Sequence, residues 1–516
     1  MAIQPYRSEP LTDFHQPENQ ARMQEALAWV RSQFGKEYPL VIGGVRHTTP
    51  DAIVSTNPAN PDEIVGRVSK ATREHIDQAL EAAWDAFAAW KRLTGEERAR
   101  YLFKAAAIMR RRKWELAAWE VFEAGKPWAE ADADVAEAID FLEYYGRQMI
   151  RLSGPIPLTP LVGEEDEAFY VPLGVGAIIP PWNFPLAILT GMSAAAIVAG
   201  NPILLKPASP TPIMGAKFTE IMEEAGLPPG VLNFVPGDGG VIGDHLVTHP
   251  LTRFVSFTGS REVGLRINRL AAEVGPGQRW IKRVVAEMGG KDAIIVDETA
   301  DLEAAAEGIV VSAFGFQGQK CSACSRAIVV ESVYDELLEK VVEKTRALTI
   351  GQPEAPENWL GPVIDAKAEK KILSYIDWGK EHARLVYGGE KLSRPGHFIQ
   401  PTIFSDVAPG SKIEQEEIFG PVLSFIRAKD FDQALAIAND TEYGLTGSVY
   451  SRRRDRIERA RAEFEVGNLY INRKCTGAVV GAHPFGGFNM SGTDSKTGSP
   501  DYLLLFLQMK AVGERL

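Results

Sequence analysis

Short apolar runs alternate with amphipathic helical stretches along the middle of the chain. Each run has the length of a buried strand, and the stretch that follows it has the length and spacing of a helix. This alternation is typical of βαβ units, whose strands form a mainly parallel sheet that is covered by the helices. The first series of strands is predicted at Val175–Ile179, Ile203–Leu205, Val231–Val235 and Arg253–Phe257.

A second series of apolar runs follows the first, so the pattern predicts an α/β protein with two such domains in tandem. Glu287 lies near their junction, a surface helix is expected over Arg22–Phe34, and an extended ribbon over Leu152–Tyr170. The strands of the second series are predicted at Ala293–Val296, Ala327–Val330, Leu423–Ala428, Thr446–Tyr450 and Gly467–Ile471.

One apolar run, Leu186–Leu205, is about long enough to cross a membrane. It is interrupted by Gly191, Gly200 and the Asn201-Pro202 pair, and alanine is frequent in it. The favoured interpretation is therefore a buried helix, a turn and a strand, with a membrane span as the alternative.

Composition narrows the class of partner. The 516 residues are 45% hydrophobic and 24% charged, as in an ordinary globular protein, and their net charge is −12. This acidic balance argues against binding to nucleic acid or to an anionic membrane, which needs clustered Lys and Arg. The N-terminal segment has no apolar signal-like core, and three cysteines cannot form a disulfide framework. A reducing, cytoplasmic location is therefore expected.

Candidate chemistry is concentrated at Cys321, in a glycine-containing turn, and at Glu287. A cysteine acts as a nucleophile when its surroundings favour the thiolate. A carboxylate can take a proton from the water that hydrolyses the resulting thioester. Together the two residues suggest covalent catalysis through a thioester.

The nucleotide motifs are less distinct. Gly237, Gly239 and Gly240 follow a strand, but Ile242 occupies the position of the third glycine in a dinucleotide fingerprint, so a plain turn is equally favoured. There is no P-loop. Phe257 to Ser260 is a better pyrophosphate site, because small residues there end a strand and begin a helix.

The spacing of Cys321 and Cys324 also allows a zinc site or a redox dithiol. No further ligands stand nearby in the sequence, so no metal is expected, and the redox pair remains the minor alternative. Cys324 is interpreted as a packed residue, and Cys475 as either packing or pocket lining.

Six segments, in order and spacing, resemble the successive motifs of the NAD(P)-dependent aldehyde dehydrogenase superfamily. The likeness covers roughly residues 40 to 510 and implies two Rossmann-type α/β domains with a projecting β-ribbon that serves oligomerisation. The segments are Pro181–Pro185, Lys206–Pro207, Phe257–Ser260, Glu287–Lys291, Gly318–Cys321 and Glu417–Pro421.

The resemblance also implies the division of the chain. Residues 1–35 would form an N-terminal helical extension, and residues 36–150 with 171–285 the dinucleotide-binding domain. Residues 286–484 would form the catalytic domain, and residues 151–170 with 485–516 the oligomerisation ribbon and the C-terminal tail.

For catalysis, the resemblance makes Cys321 the nucleophile, selecting it over Cys324. The side-chain amide of Asn183 and the backbone N–H of Cys321 would stabilise the oxyanion. Glu287 would activate the water that releases the acid.

For the cofactor, the resemblance implies that Lys206 reaches the adenosine ribose and that Ser260, with Gly259, meets the pyrophosphate. Where many NAD-preferring relatives have glutamate, this chain has Ser209, which would not repel a 2′-phosphate. NAD is therefore expected, with measurable use of NADP. The remaining cofactor residues implied are Glu417 at the nicotinamide ribose, Phe419 beside the nicotinamide, and Pro181 and Trp182.

The segments around Cys321 and Cys475 resemble the branch that oxidises glutamate γ-semialdehyde, the open form of pyrroline carboxylate, to glutamate in proline breakdown. Ser322 and the Gly477–Ala478 turn would bind the α-carboxylate, Glu137 the ammonium, and Phe184 and Phe485 the aliphatic part. Simpler readings stay open: a solvated helix residue for Glu137, core for Phe485, a turn for Gly477 and a tolerant position for Ser322.

Another semialdehyde dehydrogenase, such as one for succinate semialdehyde, is the alternative, and a non-catalytic member of the fold is a more distant one. The resemblance also implies a homo-oligomer, a dimer or a hexamer. The semialdehyde would come from a separate proline dehydrogenase, with transient contact between the two enzymes possible.

Overall fold

The computed structural model describes residues 4–516. Its helices are α1 Pro17–Ser32, α2 Arg73–Trp90, α3 Gly95–Arg111, α4 Lys113–Ala124, α5 Trp128–Leu152, α6 Ala187–Val198, α7 Pro212–Glu224, α8 Asp244–Thr248, α9 Arg261–Ala272, α10 Leu302–Phe314, α11 Tyr334–Arg346, α12 Ala366–His382, α13 Lys412–Gln415, α14 Phe431–Asn439 and α15 Arg454–Glu463.

The strands are β1 Lys36–Tyr38, β2 Leu40–Ile42, β3 Val45–His47, β4 Ala52–Asn57, β5 Asn60–Ser69, β6 Glu164–Pro172, β7 Gly176–Ile179, β8 Ile203–Leu205, β9 Leu232–Phe234, β10 Phe254–Thr258, β11 Arg283–Glu287, β12 Asp292–Val296, β13 Cys324–Val330, β14 Arg384–Tyr387, β15 Thr402–Ser405, β16 Val422–Ala428, β17 Tyr443–Gly444, β18 Thr446–Tyr450, β19 Asn468–Ile471, β20 Phe488–Asn489 and β21 Leu507–Arg515.

Two seven-stranded sheets form the body of the molecule. The first has the order β11-β10-β7-β8-β9-β2-β3, and the strands from β11 to β9 run parallel. The second has the order β14-β15-β16-β13-β12-β18-β19, with only β14 antiparallel. The predicted pair of mainly parallel α/β sheets is therefore confirmed.

Both faces of each sheet are buried, which is why the strands read as continuous apolar runs rather than as an alternating pattern. In β7, for example, Ile178 packs with residues of α3 to α7, while its neighbour Ala177 packs on the opposite face with residues of α2, α8 and α9. The second sheet is covered by α12, α14 and α15 on one face and by α10 and α11 on the other.

The run Leu186–Leu205 forms α6, a turn and β8, as predicted. Within residues 4–516, no helix combines the length and the apolar character that crossing a membrane requires. The predicted N-terminal helix exists but is displaced: it begins at Pro17, where proline suits the first turn, and ends at Ser32 instead of Phe34.

The segment predicted to be an extended ribbon is partly different. Helix α5 continues to Leu152, and the ribbon strand β6 covers Glu164–Pro172. Strand β6 pairs antiparallel with β21 near the C-terminus, from Leu507 opposite Pro172 to Arg515 opposite Glu164.

The two large sheets meet where the chain passes from β11 to β12, through Met288–Lys291. The carboxyl end of β11 and the segment leading into β13 therefore bring Glu287 and Cys321 to the same junction.

Candidate active site

The segment that precedes Cys321 has an unusual backbone. Phe316 and Gln317 have left-handed φ values of 48° and 58°. Gly318 follows at φ 67°, and a Cβ there would lie 2.3 Å from the carbonyl oxygen of Gly420. Glycine is required at this position, because the chain passes directly against the segment that carries Glu417 and Phe419. The turn delivers Cys321, partly exposed, just before β13.

Asn183 is fixed beside this turn. Its buried side chain donates from Nδ2 to the carbonyl oxygen of Gln319, at 2.9 Å. An amide nitrogen has two hydrogens, so one remains to serve as an oxyanion donor. The side chain of Gln319 is itself held, because its Oε1 accepts from the backbone N–H of Ile364 at 2.9 Å.

Glu287 ends β11, and its carboxyl group is buried. Oε1 accepts a hydrogen bond from Ser495 Oγ at 2.6 Å, and Oε2 accepts one from the backbone N–H of Gly487 at 3.3 Å. Burial raises the pKa of Glu287 to about 7, although these hydrogen bonds oppose the rise. The carboxyl group can therefore exchange a proton near neutral pH.

Burial is also the main reason why the pKa of Cys321 lies well above its ordinary value, and the carboxyl groups of Asp292, Glu417 and Glu287 raise it further. In the unliganded protein the sulfur is thus a thiol. Nucleophilic attack requires that its proton leaves as the new bond forms.

Four of the residues predicted for the cofactor lie at the carboxyl ends of β8 and β10, and Pro181 and Trp182 follow β7. Ser260 caps α9 by accepting from the backbone N–H of Val263, and Gly259 donates to the carbonyl oxygen of Glu287 at 3.1 Å. Lys206 follows β8 and is buried, which lowers its pKa, while Ser209 is exposed in the next turn. Ligands of open parallel sheets bind at this edge.

Glu417 lies near both this edge and Cys321. Its half-buried carboxyl group accepts from the backbone N–H of Gly290 at 3.1 Å, and a Cβ at Gly289 would lie only 2.3 Å from its Oε2. Phe419 has a left-handed φ of 59°, and its ring meets Trp182 edge to face at 5.6 Å. These backbone amides, glycines and aromatic rings fit a dinucleotide.

The residues predicted for the substrate come from several segments. The carbonyl oxygen of Ser322 accepts a hydrogen bond from Cys475 Sγ at 3.5 Å. This contact links the segment around Cys321 to the loop that contains Gly477 and Ala478. Gly477 is exposed with φ 79°, as a turn requires, and Ala478 is half-buried.

Glu137 is half-buried on α5, and burial, with the nearby Asp134, raises its pKa to about 8. The ring centre of Phe184 lies 6.0 Å from the Nζ of Lys320, the residue before Cys321. Phe485 is half-buried, and its backbone pairs with Thr497 in the segment that also holds Glu287.

Sequence reasoning missed several residues of this region. Lys126 is fully buried with its Nζ 4.5 Å from the Phe184 ring centre, and Lys320 donates to Glu130 at 2.8 Å. Ser495, which binds Glu287, was also missed. A charged residue between glycine and proline, as Lys126 is, gives no local sign of burial, and the Ser495 contact spans 208 positions.

Cys324 and Cys475 are buried and unpaired. A separate group of possible metal ligands, Asp77, His245 and His249, lies near α2 and α8. There His245 contacts Asp77 at 2.6 Å, and His249 Nδ1 accepts from the backbone N–H of Leu251 at 3.1 Å. A neutral His249 therefore carries its proton on Nε2, toward Asp77, which suits hydrogen bonding rather than metal ligation.

Residues 45–512 match the model of the aldehyde dehydrogenase family. A 1-pyrroline-5-carboxylate dehydrogenase of Geobacillus kaustophilus is 61% identical over 512 residues, covering 99% of both chains. The crystal structure of a 1-pyrroline-5-carboxylate dehydrogenase from Thermus with bound NAD is 56% identical, has a TM-score of 0.99 and covers all of both chains.

A longer protein also matches. Proline utilization A from Bdellovibrio bacteriovorus is 45% identical, with a TM-score of 0.98, and the match covers all of this chain but 54% of that one. The family model and the relatives each span nearly the whole sequence. The chain therefore belongs to the aldehyde dehydrogenase family.

Proposed function

We propose that this protein oxidises L-glutamate γ-semialdehyde, formed from 1-pyrroline-5-carboxylate, to L-glutamate with NAD, the second step of proline degradation. The observation that carries the substrate assignment is the full-length likeness, at 61% identity, to a protein named for that activity. The reaction class is supported by the site itself, where the partly exposed thiol of Cys321 lies with the anchored amide of Asn183 and the buried carboxyl group of Glu287.

Cys321 is the nucleophile. Its Sγ bonds to the aldehyde carbon as the thiol proton passes to a water molecule, and the carbonyl electrons move to oxygen. The free N–H of Asn183 and the backbone N–H of Cys321 donate to that oxygen. Bound NAD supplies the hydride acceptor, and Cys321 is left as a thioester.

Glu287 then acts as the general base. It takes a proton from water while the water oxygen bonds to the thioester carbon, and the C–S bond breaks to release glutamate and the Cys321 sulfur. A carboxyl group with a pKa of about 7 is suited to accept this proton and to lose it again near neutral pH.

The cofactor is held by residues on both sides of the junction. Lys206 binds the adenosine ribose, Gly259 and Ser260 the pyrophosphate, and Glu417 the nicotinamide ribose. Pro181, Trp182 and Phe419 line the nicotinamide side. NADP is a second cofactor, because Ser209 leaves space and no negative charge at the ribose. A preference for NAD above about a thousandfold in kcat/KM, roughly 4 kcal/mol, would contradict this.

The amino-acid end of the substrate distinguishes it from other aldehydes. Ser322 and the backbone of Gly477 and Ala478 bind the α-carboxylate, and Glu137 binds the α-ammonium. Phe184 and Phe485 pack against the methylene groups between the two ends.

The protein acts as a homo-oligomer, built through the β6–β21 ribbon, and meets a proline dehydrogenase transiently. The match to about half of proline utilization A supports that second partner. A cytoplasmic location suits a catalytic thiol and two further free cysteines, which need a reducing environment.

The test is steady-state reduction of NAD with pyrroline-5-carboxylate, beside succinate semialdehyde and propanal. We expect kcat/KM to favour the pyrroline substrate by about a hundredfold or more, roughly 3 kcal/mol of transition-state binding. Equal kcat/KM values for the three substrates would contradict the proposed substrate but would still agree with an aldehyde dehydrogenase.

A further inference from the structure

The carboxyl group of Glu287 lies in a cradle that is built by residues 486–496 of the C-terminal part of the chain. Oε1 accepts from both the hydroxyl group and the backbone N–H of Ser495, at 2.6 and 3.3 Å. Oε2 accepts from the backbone N–H of Gly487 at 3.3 Å. All these donors stabilise the charged form of the carboxyl group.

Glycines close the cradle around the carboxyl group. A Cβ at Gly486 would lie 3.1 Å from Glu287 Oε1, and one at Gly492 would lie 3.2 Å from the same oxygen. The Gly492 Cβ would also lie 2.6 Å from the carbonyl oxygen of Ala286. The backbone therefore approaches Glu287 more closely than side chains at these positions would permit.

The backbone on either side of Ser495 is bent into an unfavourable shape. Asp494 and Lys496 have left-handed φ values of 51° and 52°, which L residues rarely adopt. Lys496 Nζ holds the bend by donating to the carbonyl oxygens of Gly467 and Gly486, at 2.8 and 2.9 Å. Such strained positions persist where the surrounding structure fixes them, and they are frequent at functional sites.

We propose that Ser495 is a positioning residue that orients Glu287 in this cradle and favours its ionised form between turnovers, ready for the water that hydrolyses the thioester. This inference rests on the proposed role of Glu287 as the general base. It adds a residue that does not touch the reacting atoms but sets the protonation state of the group that does.

The charges around the carboxyl group define the expected pH dependence. Burial raises the pKa of Glu287, while the Ser495 hydroxyl, the two backbone donors and the charge of Lys496 lower it, in that order. The thiol of Cys321 and the phenol of Tyr502 are the other titratable groups close enough to interact with it. Removing the hydroxyl group should therefore raise the pKa of Glu287.

The experiment follows the decay of the acyl-enzyme in a single turnover, by intact-protein mass spectrometry, between about pH 5.5 and 9. As the pH falls, the hydrolysis rate of the wild type should decrease, and we expect it to reach half its maximum near the Glu287 pKa of about 7. In Ser495→Ala this midpoint should rise by about one pH unit, and in Ser495→Thr, which keeps a hydroxyl group, it should return toward that of the wild type.

Thr493→Val is the matched control. Thr493 lies on the same segment and exchanges hydrogen bonds with the backbone of Ala286, at 3.0 and 3.3 Å, instead of with the Glu287 carboxyl group. Its midpoint should stay at the wild-type value. If Ser495→Ala does not fold, Ser495→Gly removes the same hydroxyl group.

The inference is overturned if a Ser495 variant hydrolyses the acyl-enzyme more slowly at every pH but keeps the wild-type midpoint of the pH dependence. That result would mean that Ser495 has a structural role alone. Glu287→Gln separates this failure from failure of the proposed function. An acyl-enzyme that accumulates in Glu287→Gln supports the role of the base. Hydrolysis at the wild-type rate in Glu287→Gln would overturn both.

Discussion

The side chain of Asn183 is held by a single hydrogen bond to the carbonyl oxygen of Gln319, two residues before Cys321. The same turn thus fixes both the side-chain amide of Asn183 and Cys321, so the two keep a constant relative position. Preorganised donors of this kind stabilise developing negative charge without reorganising during the reaction.

Replacing Asn183 with alanine should therefore lower kcat by about a hundredfold to a thousandfold, or roughly 3–4 kcal/mol, with a smaller change in KM. Steady-state kinetics with the semialdehyde would measure this, and a thermal melt would verify folding. A loss of less than about fivefold in kcat would contradict an oxyanion role for Asn183.

Glu137 provides a prediction about pH. Its pKa of about 8 means that the carboxyl group is largely protonated at neutral pH in the unliganded protein. A bound ammonium favours the charged form, so binding of the amino-acid end is coupled to loss of a proton. Affinity should therefore rise with pH until about 8 and then level off.

The measurement is the inhibition constant of L-glutamate between about pH 6 and 8, which should improve with pH in the wild type. In Glu137→Gln the constant should be weaker and nearly independent of pH. The KM for propanal, which lacks the ammonium, serves as the control and should not change. A pH dependence that persists in the variant would remove Glu137 from this role.

At the level of elements, the connection between α4 and α5 packs against Phe184, one of the residues proposed to contact the substrate. Lys126 is fully buried there and forms an ion pair with Asp134. Glu120 also lies 3.1 Å from its Nζ, but burial and the nearby Asp134 raise the pKa of Glu120 well above its ordinary value. Asp134 also accepts from the backbone N–H of Ala187 at 2.5 Å, which ties the start of α6 to α5. Phe184, which lies against the Lys126 ammonium, is thereby fixed between two helices.

Lys126→Met should destabilise the protein by about 3–5 kcal/mol, because it leaves the buried carboxyl group of Asp134 without its cation. Urea unfolding followed by fluorescence would measure the loss. The control is Arg22→Met, which removes an exposed ion pair to Glu18 and should cost less than about 1 kcal/mol. If the two substitutions reduce the free energy of unfolding equally, the buried cluster stabilises the protein no more than an exposed ion pair does.

The elements also show where sequence reasoning succeeds. The strands at Ile203–Leu205 and Thr446–Tyr450 agree with the predicted bounds. For Ile203–Leu205 the reason is that a fully buried strand is a short apolar run between turn residues. The pairing of β6 with β21 joins segments 335 positions apart, from Pro172 to Leu507, and no local pattern specifies such a partner. The contact of Ser495 with Glu287 cannot be predicted from a local pattern either, because it joins residues 208 positions apart.

The residues of the candidate site also differ in whether the sequence predicts them. Cys321 and Glu287 stand out because their chemistry is rare and the surrounding motifs are ordered along the chain. Lys126 gives no such signal, since a charged residue between Gly125 and Pro127 is typical of an exposed loop. Its burial follows only from the packing of α5 against α6.

At the scale of the whole molecule, the ribbon of β6 and β21 is the feature that a monomer does not explain. It is a two-stranded sheet, separate from the two large sheets, and such a pair is marginally stable alone. Phe169 is 37% exposed and Met509 is 55% exposed on its strands. Unpaired strand edges with apolar side chains favour association, so we expect at least a dimer.

Light scattering coupled to gel filtration should therefore give a mass of at least twice the 56.5 kDa of the chain. Met509→Lys places a charge on the ribbon and should shift the protein toward the monomer, because burying an unpaired ammonium in an interface is unfavourable. Val45→Lys is the control, since Val45 is similarly exposed, at 59%, but lies on β3 at the edge of the first sheet. A wild-type protein that is monomeric at micromolar concentration, or a Val45→Lys variant that dissociates as readily as Met509→Lys, would show that the ribbon does not direct assembly.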